Sequence, residues 1–366
     1  MNFSLNKNEF TEALITLIKI TPTRTTLPIL STVLIKTKED KGVTLRSTDL
    51  EVDMEFFIKA KVLEKGETCA PIHKLYEITN TLSVENITIN INETQRMKIK
   101  TQTGQYFITC NKTEEFPEER KLEGEPTKIS TKFLSETIKN TLYATSRDEL
   151  KPTLNGVLFS CNAGAVTAVA TDGHRLVKYI YPQENKETTT TLIPQKFLNI
   201  ISGGTFNTKK TVLEIYENHA TIKTNTETLS TRIIKEKFPD YENVIPEENP
   251  NTTTINTQEL LSKLKRVSLM SNKSTKQVVF SFTPTKTTIS SEDNETGSSA
   301  VEEILTKHKG NECTIGFNAT LLIEILKHQQ TEETQILTNT PLSAALIKQV
   351  GEEKTTTTTL LMPIRI

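Results

Sequence analysis

Three short segments that share one pattern decide the fold of this chain: FTEALITLI at residues 10–18, FLSETIKNTL at 133–142 and LLSKLKRVSL at 260–269. In each segment apolar residues recur every three or four positions, which is the period of an amphipathic α-helix. The segments start 123 and 127 residues apart. Because these distances are much longer than the period of a solenoid repeat, they predict repeated domains.

Other markers repeat at nearly the same distance. Alternating, strand-like segments follow each helix, at 31–36, 156–160 and 277–282. A second helical pattern starts at residues 71, 194 and 317, which are 123 apart both times. A Phe-Pro or Met-Pro pair closes each third, at 116, 238 and 362. Proline cannot donate to a sheet, so we expect each pair at the edge or end of a last strand. Each third therefore predicts an α+β domain with helices on one side of an antiparallel sheet.

The length agrees with three domains, since 366 = 3 × 122 and units of about 120 residues have a common domain size. Two polar stretches that contain proline, at 118–126 and 247–252, fall just after the first two closing pairs. Such stretches are typical of linkers. We therefore expect domains at 1–125, 126–249 and 250–366.

Charge and composition exclude several classes of protein. The 44 Lys plus Arg and 45 Asp plus Glu give a net charge of −1, which argues against attachment to DNA by bulk positive charge but not against local contacts. No apolar run reaches the ~18–20 residues that span a bilayer. The N-terminal segment lacks the pattern of a signal peptide, so we expect a cytoplasmic protein. The chain contains no phosphate-loop, dinucleotide or nucleophile-elbow motif.

The cysteines and histidines predict neither a metal nor a cofactor. Cys69, Cys110, Cys161 and Cys313 lie far apart and form no C-x-x-C pair, so buried free thiols are the simplest interpretation. None of the five histidines has a second histidine at metal-ligand spacing.

Basic residues gather on the first helix of each third and its flanks, whereas acidic residues concentrate elsewhere, as at 114–119, 292–295 and 302–303. If the first helices share one face, that face is positive. No aromatic platform or recognition helix accompanies these charges, so the pattern favours contact with phosphates without reading of bases. Binding of that kind is weak and strongly salt-dependent.

Several local sequences resemble one known family. They are ATDGHRL at 170–176, LNG at 154–156, FPDY at 238–241, LMPIRI at 361–366, TLPIL at 26–30 and STDLE at 47–51. In this order they resemble the bacterial DNA polymerase sliding clamps, the β subunits of the replicative polymerase, over the whole chain.

The resemblance implies a non-enzymatic processivity factor. Clamps of this family are head-to-tail homodimers of three-domain subunits, whose helices line a hole around duplex DNA bound without sequence preference. No cofactor, metal or membrane is involved. The residues expected to face DNA are Arg24, Lys139, Arg147, Lys151, Lys196, Lys263 and Arg266.

The resemblance also implies a groove for short peptides of the polymerase, the clamp loader and repair proteins. Its residues match Leu154, Thr171, Gly173, His174, Arg175, Leu176, Pro239, Val244, Leu360, Met362, Pro363 and Arg365. Several members carry arginine where this chain has Asn243, which predicts a less basic rim. The expected dimer interface comprises Lys74, Phe107, Leu269, Met270, Glu302 and Glu303.

Two alternatives stay open at this point. Residues 104–106 lack the basic residues often found near the family's interface, so the chain could be a monomeric peptide-binding scaffold of the same fold. Asp172 and His174 could also form an acid–base or metal-binding pair of a hydrolase. Against this, Thr48-Asp49 occupies the same place in the first third, which favours a turn residue over a catalyst.

Overall fold

A computed structural model describes residues 1–22, 24–38, 41–119, 122, 124–183, 188–203, 206, 211–351 and 356–366, apart from the side chains of 131 and 132. The α-helices of these residues are α1 (Lys7–Ile18), α2 (Ile72–Thr81), α3 (Thr131–Thr141), α4 (Gln195–Ser202), α5 (Thr257–Ser268) and α6 (Ala319–His328). All six coincide with the predicted helices to within a few residues, and the repeat of two helices per third is confirmed.

The strands follow the predicted alternating segments. In chain order they are β1 (Asn2–Asn6), β2 (Thr32–Lys38), β3 (Gly42–Thr48), β4 (Val52–Glu64), β5 (Glu67–Pro71), β6 (Asn86–Ile91), β7 (Arg96–Lys100), β8 (Gln105–Thr109), β9 (Thr127–Ser130), β10 (Gly156–Asn162), β11 (Ala165–Thr171), β12 (Arg175–Pro182), β13 (Thr189–Pro194), β14 (Val212–Ile215), β15 (His219–Lys223), β16 (Glu227–Arg232), β17 (Asn251–Asn256), β18 (Gln277–Phe282), β19 (Lys286–Asp293), β20 (Ser298–Leu305), β21 (Lys307–Lys309), β22 (Cys313–Asn318), β23 (Glu333–Thr338), β24 (Ala345–Gln349) and β25 (Thr356–Leu361).

The chain divides into two compact units, residues 1–132 with 199–233 and residues 133–198 with 234–366. Unit 1 contains a twelve-stranded sheet with the main order β8-β7-β6-β1-β4-β16-β15-β14-β9, to which β2, β3 and β5 add a branch. Unit 2 contains a nine-stranded sheet, β13-β10-β11-β12-β25-β24-β23-β17-β21, and a four-stranded sheet, β20-β19-β18-β22.

These sheets differ from the prediction of one sheet per third. β4 of the first third pairs antiparallel with β16 of the second, and β12 of the second pairs antiparallel with β25 of the third. The alternation of residues within a strand shows which face is buried, but it does not show which strand lies alongside. The pattern of the sequence therefore could not predict that sheets continue from one repeat into the next.

Asparagine side chains start three of the helices. Asn6 accepts hydrogen bonds from the backbone of α1, Asn256 from that of α5 and Asn318 from that of α6. Each asparagine satisfies N–H groups that have no partner within the helix, which stabilises the helix by roughly 1 kcal/mol.

The helices cover one face of each sheet. In unit 1, α1 lies on α2 and over β3 and β4, and buries Phe10, Leu14 and Leu17. In unit 2, α5 lies on α6 and over β19 and β20, above a core that includes Leu361. We call the helix-covered side of a sheet the helix face and the opposite side the outer face. The prediction of helices on one side is confirmed.

The closing pairs of the three thirds are not equivalent in structure. Met362-Pro363 follows β25 directly, as expected for the end of a last strand. Phe116-Pro117 and Phe238-Pro239 lie in the loops beyond β8 and β16, where the strand prediction was wrong. Arg46 explains the first position, because its guanidinium donates to the carbonyls of Pro117 and Glu118 and lies over the Phe116 ring.

No helix of the described residues is both long and apolar enough to cross a membrane. The four cysteines are free and buried, and burial raises the pKa of the Cys69 thiol to about 12. Such thiols are unreactive.

The carboxyl group of Glu227 in β16 should make the stability of unit 1 depend on pH. It lies opposite Phe56 of β4, and its buried Oε2 has no hydrogen-bond partner among the described residues. Desolvation raises the pKa of Glu227 to about 7. Below about pH 4.5 the carboxyl is protonated in both states. As the pH rises from about 4.5 to about 7, the unfolded chain ionises while the folded protein keeps the proton, so this contribution to stability is lost.

We therefore expect Glu227→Gln to stabilise the protein above pH 7 by about 1 kcal/mol, a value reduced because the side chain is only half buried. The gain should disappear near pH 4. Thermal melts at the two pH values measure it, with Glu217→Gln on an exposed side chain as the control. An equal gain at both pH values would contradict the titration of Glu227.

Candidate functional site

The turn between β11 and β12 is held by its own side chains. Thr171 Oγ1 donates to the carbonyl of Arg175 at 2.6 Å. Asp172 Oδ1 accepts the backbone N–H groups of His174 and Arg175, both at 2.9 Å. Gly173 has φ +91°, a left-handed conformation that suits glycine. The turn therefore has a fixed shape and exposes His174 at its tip.

The first third contains the same turn between β3 and β4. Thr48 Oγ1 donates to the carbonyl of Val52 at 2.9 Å, and Asp49 Oδ1 accepts from Glu51 and Val52. Leu50 has φ +77°, where the second turn has glycine. These contacts agree with the interpretation of Asp172 as a turn residue.

The hydrolase alternative receives no support from this geometry. Asp172 binds the backbone of His174, while its Oδ2 accepts from Arg175 Nε at 3.0 Å. No group of three or more His, Cys, Asp or Glu side chains in the described ranges could hold a metal ion. Both oxygens of the Asp172 carboxylate therefore accept hydrogen bonds within the turn.

Arg175 points away from the outer face and into the interior of unit 2. Its guanidinium donates to Asp172, to Glu324 Oε2 of α6 at 2.8 Å and to the carbonyl of Tyr143. It also lies 5.2 Å from the centre of the Tyr143 ring, which stacks on His328 at 4.0 Å. The Arg175 side chain therefore positions the turn, and it also lines a depression beside His174. Its assignment to the peptide groove stays a prediction.

Removal of this guanidinium should destabilise unit 2. The Arg175 side chain is only 6% exposed, and Arg175→Ala would leave Asp172 and Glu324 without their cation. Breaking such a pair costs roughly 3 kcal/mol. We expect a clear fall in the free energy of unfolding by urea. Arg175→Lys should recover less than half, because lysine cannot reach three acceptors, and recovery to the wild-type value would contradict this role.

Apolar residues form a floor beside the turn on the outer face. Leu176 lies opposite Leu360, Leu360 opposite Leu346, and Leu346 opposite Leu337, so one row crosses β12, β25, β24 and β23. Phe238 and Tyr241, from the loop after β16, pack against this row. Leu361 points to the helix face, so the alternation in β25 separates the floor from the core.

The C-terminal residues border this floor. The N–H of Met362 donates to the carbonyl of His174 at 2.8 Å, and the N–H of Ile364 donates to that of Gly316 at 2.8 Å. A Cβ on Gly316 would lie 2.6 Å from the Ile364 carbonyl, so only glycine allows this approach. Met362 is 42% exposed and available to a ligand.

The remaining groove residues have different exposures. Pro239 and Val244 are exposed near Phe238 and Tyr241, and Arg365 is exposed at the terminus. Pro363 is half-buried. Asn243 donates to Asp240 Oδ2 at 2.8 Å on this rim. We define the groove by its floor, Leu176, Leu337, Leu346 and Leu360, and its rim, His174, Pro239, Val244 and Met362.

A depression of about 660 Å³ lies on the other side of the turn and shares His174 with the rim. Its walls include Ser146, Arg147, Lys151, Ile323 and Lys327. The carbonyl of Leu154 accepts from the N–H of Ser146 at 2.9 Å, which places this predicted groove residue behind the same wall. An extended peptide could therefore cross from an apolar floor to a more basic cleft.

The residues expected to face DNA fall into two groups. Arg24, Lys139, Arg147 and Lys151 are exposed, and Lys196 is half-buried. Arg266 forms two hydrogen bonds with Glu302, at 2.7 and 2.6 Å, and Lys263 pairs with Glu259 at 2.8 Å. Arg266 also holds the pKa of Glu302 below its ordinary value. Arg266 and Lys263 thus already have acidic partners within the chain, and Lys151 has Asp148 at the longer distance of 4.0 Å.

The predicted interface residues lie at two sheet edges. β8 ends the main path of the twelve-stranded sheet and β20 ends the four-stranded sheet; neither has a second neighbour among the described strands. Phe107 of β8 is 51% exposed, and Leu269, just beyond α5, is 76% exposed. Lys74, Met270 and Glu303 are also exposed.

Sequence reasoning missed part of these edges. Tyr106 shares the helix face of β8 with buried Ile108, whereas Phe107 is on the outer face. Arg96 and Lys98 of β7 lie over the Phe107 ring, 4.6 and 5.9 Å from its centre. Two basic side chains of the neighbouring strand therefore lie beside Phe107, although residues 104–106 contain none. The alternation around Ile108 could have identified Tyr106.

Comparisons with known proteins agree along the whole chain. Residues 1–120, 128–240 and 242–365 match the N-terminal, central and C-terminal domains of the DNA polymerase III beta subunit. The beta sliding clamps of Chlamydia muridarum and Pseudomonas putida are 26% and 25% identical; both matches cover 100% of this chain, with 99% and 100% of the relatives.

Solved structures share the fold. The DNA polymerase sliding clamp of Bacillus subtilis has a TM-score of 0.92 at 23% identity, with 100% of this chain and 99% of that chain covered. A Pseudomonas aeruginosa sliding clamp bound to griselimycin has a TM-score of 0.91 at 24% identity, with both chains covered completely. Three domain matches in order, which together extend from residue 1 to residue 365, show that this chain belongs to the family of DNA polymerase III beta subunits.

Proposed function

We propose that this chain is a DNA sliding clamp, a homodimeric ring that encloses duplex DNA and tethers a DNA polymerase through its peptide groove. The observation that carries the proposal is a pairing of strands from successive thirds, which we call a junction. It occurs twice within the chain, and it leaves one edge strand at each end without a second neighbour among the described strands. The family of beta subunits and the names of the relatives, which are sliding clamps, support it.

The junction is the same in both places where it occurs. The strand that follows the Thr-Asp turn of one third pairs antiparallel with the last strand of the next third: β4 with β16, and β12 with β25. The corresponding strand of the last third is β20, and the last strand of the first third is β8. Neither has a second neighbour among the strands that the structure describes, so both are open edges. Continuing the rule, β20 pairs with β8 of a second copy.

Such an interface is head-to-tail. Heterologous contacts of this kind form closed rings when the rotation between copies closes, and two copies of a three-domain chain would give six repeats. The division at 1–125, 126–249 and 250–366 is our proposal for these repeats. The pairing would place Tyr106 of one copy near Leu269 and Met270 of the other, because all three lie on the helix side of their sheets.

Encirclement explains the charge of the protein. A ring holds DNA by topology, so it needs only enough positive charge to tolerate the phosphate backbone, and a chain of net charge −1 can serve. The exposed Arg24, Lys139, Arg147 and Lys151 would provide sequence-independent contacts. Lys263 and Arg266 would contribute less, since acidic groups already bind them.

The groove would bind short peptides of the polymerase, the clamp loader and repair proteins. Its leucine floor suits apolar anchors, and the flexible Met362 can adapt to several partners in turn. As a processivity factor the protein would have no catalytic activity of its own and would act in the cytoplasm.

A monomeric peptide-binding scaffold is the second candidate. The observation in its favour is that Glu302 and Glu303 of the open strand β20 already pair with Arg266 and Lys286 of the same chain. Light scattering after size exclusion separates the two functions. At micromolar concentration the ring requires about 82 kDa, twice the 41.2 kDa of one chain; a mass near one chain would favour the scaffold.

A further inference from the structure

We propose that the subunit interface of this chain has a second layer on the outer face. In this layer Phe107, which Arg96 and Lys98 of its own copy contact, packs on Ser299 and Val301 of a second copy. This inference rests on the proposed ring and specifies how its edges recognise each other. The acidic Glu292 of the second copy complements the two cations.

The register of the pairing follows from the two junctions inside the chain. Asp53 of β4 lies opposite Ser230 of β16, and Leu176 of β12 lies opposite Leu360 of β25. Asp53 and Leu176 are equivalent, because each also pairs with the threonine that starts its turn. The two junctions thus place equivalent residues of β4 and β12 opposite Ser230 and Leu360, and we apply the pairing of β4 with β16 to the open edges.

The matching residue on β20 is Ser299. Ser291 of β19 donates to the carbonyl of Val267 in α5, as Ser47 of β3 bonds to Thr21 after α1. Glu292, the residue after Ser291, thus corresponds to Thr48. Since Glu292 lies opposite Ser299, Ser299 corresponds to Asp53 and Leu176.

The matching residue on β8 is Phe107. The hairpin before β16 closes with a hydrogen bond from Thr224 to Glu227, and Ser230 comes three residues later. The hairpin before β8 closes in the same way, from Thr101 to Gly104, so three residues later is Phe107. The register therefore sets Phe107 against Ser299 of a second copy.

Phe107 is prepared for such a contact. It lies directly opposite Lys98 on the outer face, where its ring is 51% exposed although Arg96 and Lys98 both approach it. The two cations fix the ring from one side and leave the side toward the open edge uncovered. An exposed aromatic residue on an unpaired edge strand is otherwise a liability for aggregation.

The facing strand is shaped to receive the ring. Ser299 is small, and its outer-face neighbour Val301 is 65% exposed. Glu292 is exposed beside Ser299 and forms no ion pair with the described part of the chain. A row of Lys98, Phe107, Ser299 and Glu292 would thus run across the junction with opposite charges at its two ends, which favours a second copy of this chain as the occupant.

Phe107→Ala tests the layer in the full-length protein by sedimentation equilibrium. Truncation of a central interface aromatic weakens one contact about tenfold, and a ring of two copies has two identical contacts, so we expect the dimer dissociation constant to rise about a hundredfold. Leu63→Ala, which removes a side chain 59% exposed elsewhere in unit 1, is the control and should change it less than twofold.

The register is tested by Ser299→Trp, which should weaken the wild-type dimer by overfilling the space but weaken the Phe107→Ala dimer much less. Arg96→Gln with Lys98→Gln should weaken the dimer and reduce its dependence on salt. A dimeric wild type with an unchanged constant in Phe107→Ala would overturn the second layer and leave the ring intact. A monomeric wild type would overturn the ring itself.

Discussion

Aspartates in place of Leu269 and Met270 are expected to convert the protein into a monomer that circular DNA does not retain. The two side chains are 76% and 39% exposed just after α5, where the proposed pairing sets them against Tyr106 of a second copy. Burial of unpaired carboxylates costs several kcal/mol, and the ring contains this contact twice. The effect should therefore exceed a thousandfold in the dissociation constant.

Light scattering at micromolar concentration measures the change, with Leu63→Asp as a control that adds charge at a side chain outside the interface. The control should stay dimeric. Because Leu269 and Met270 lie on the surface, the thermal stability of each unit should change little. A double variant that remains dimeric would show that these residues are not at the subunit contact.

Deletion of 362–366 is the second large effect, and it should abolish peptide binding without changing the mass of the assembly. The deletion removes Met362 from the rim and with it the bond from its N–H to the carbonyl of His174. It also uncovers the end of the leucine floor. We expect at least a hundredfold loss of affinity, equal to about 3 kcal/mol, for a short peptide with Leu and Phe anchors.

Fluorescence anisotropy with the labelled peptide measures this loss. Removal of Ile366 alone is the matched control and should cost less than threefold, since this residue is 64% exposed beyond the rim. Peptide binding that survives the full deletion would remove the groove assignment, whereas the ring would be unaffected.

Much of the fold could be predicted because its signals are local. The helix period around Phe10, Phe133 and Leu260 fixes where helices lie, and the alternation in 277–282 fixes a strand. The spacing of these markers revealed three repeats. The comparison of repeats also predicted the role of Asp172. Asp49 has the equivalent place in the first third without a histidine beside it, which indicates a turn residue.

What could not be predicted depends on contacts between distant parts of the chain. Arg175 turns inward because Glu324 and Tyr143 are there to receive it, and neither is near it in sequence. Lys98 reaches Phe107 from the neighbouring strand of a hairpin, a contact that residues 104–106 alone do not reveal. Phe107 was predicted as an interface residue because it is apolar. The alternation with buried Ile108 would have added Tyr106 to that prediction.

Retention on DNA of defined topology tests the central claim most directly. The wild-type protein, loaded onto a closed or nicked circle by a clamp loader and separated from free protein by gel filtration, should stay with the circle at a salt concentration that removes electrostatic binding. Cutting the same circle once should release it, because a sliding ring leaves a free end. Equal retention on circular and linear DNA would contradict a ring that holds DNA by encirclement.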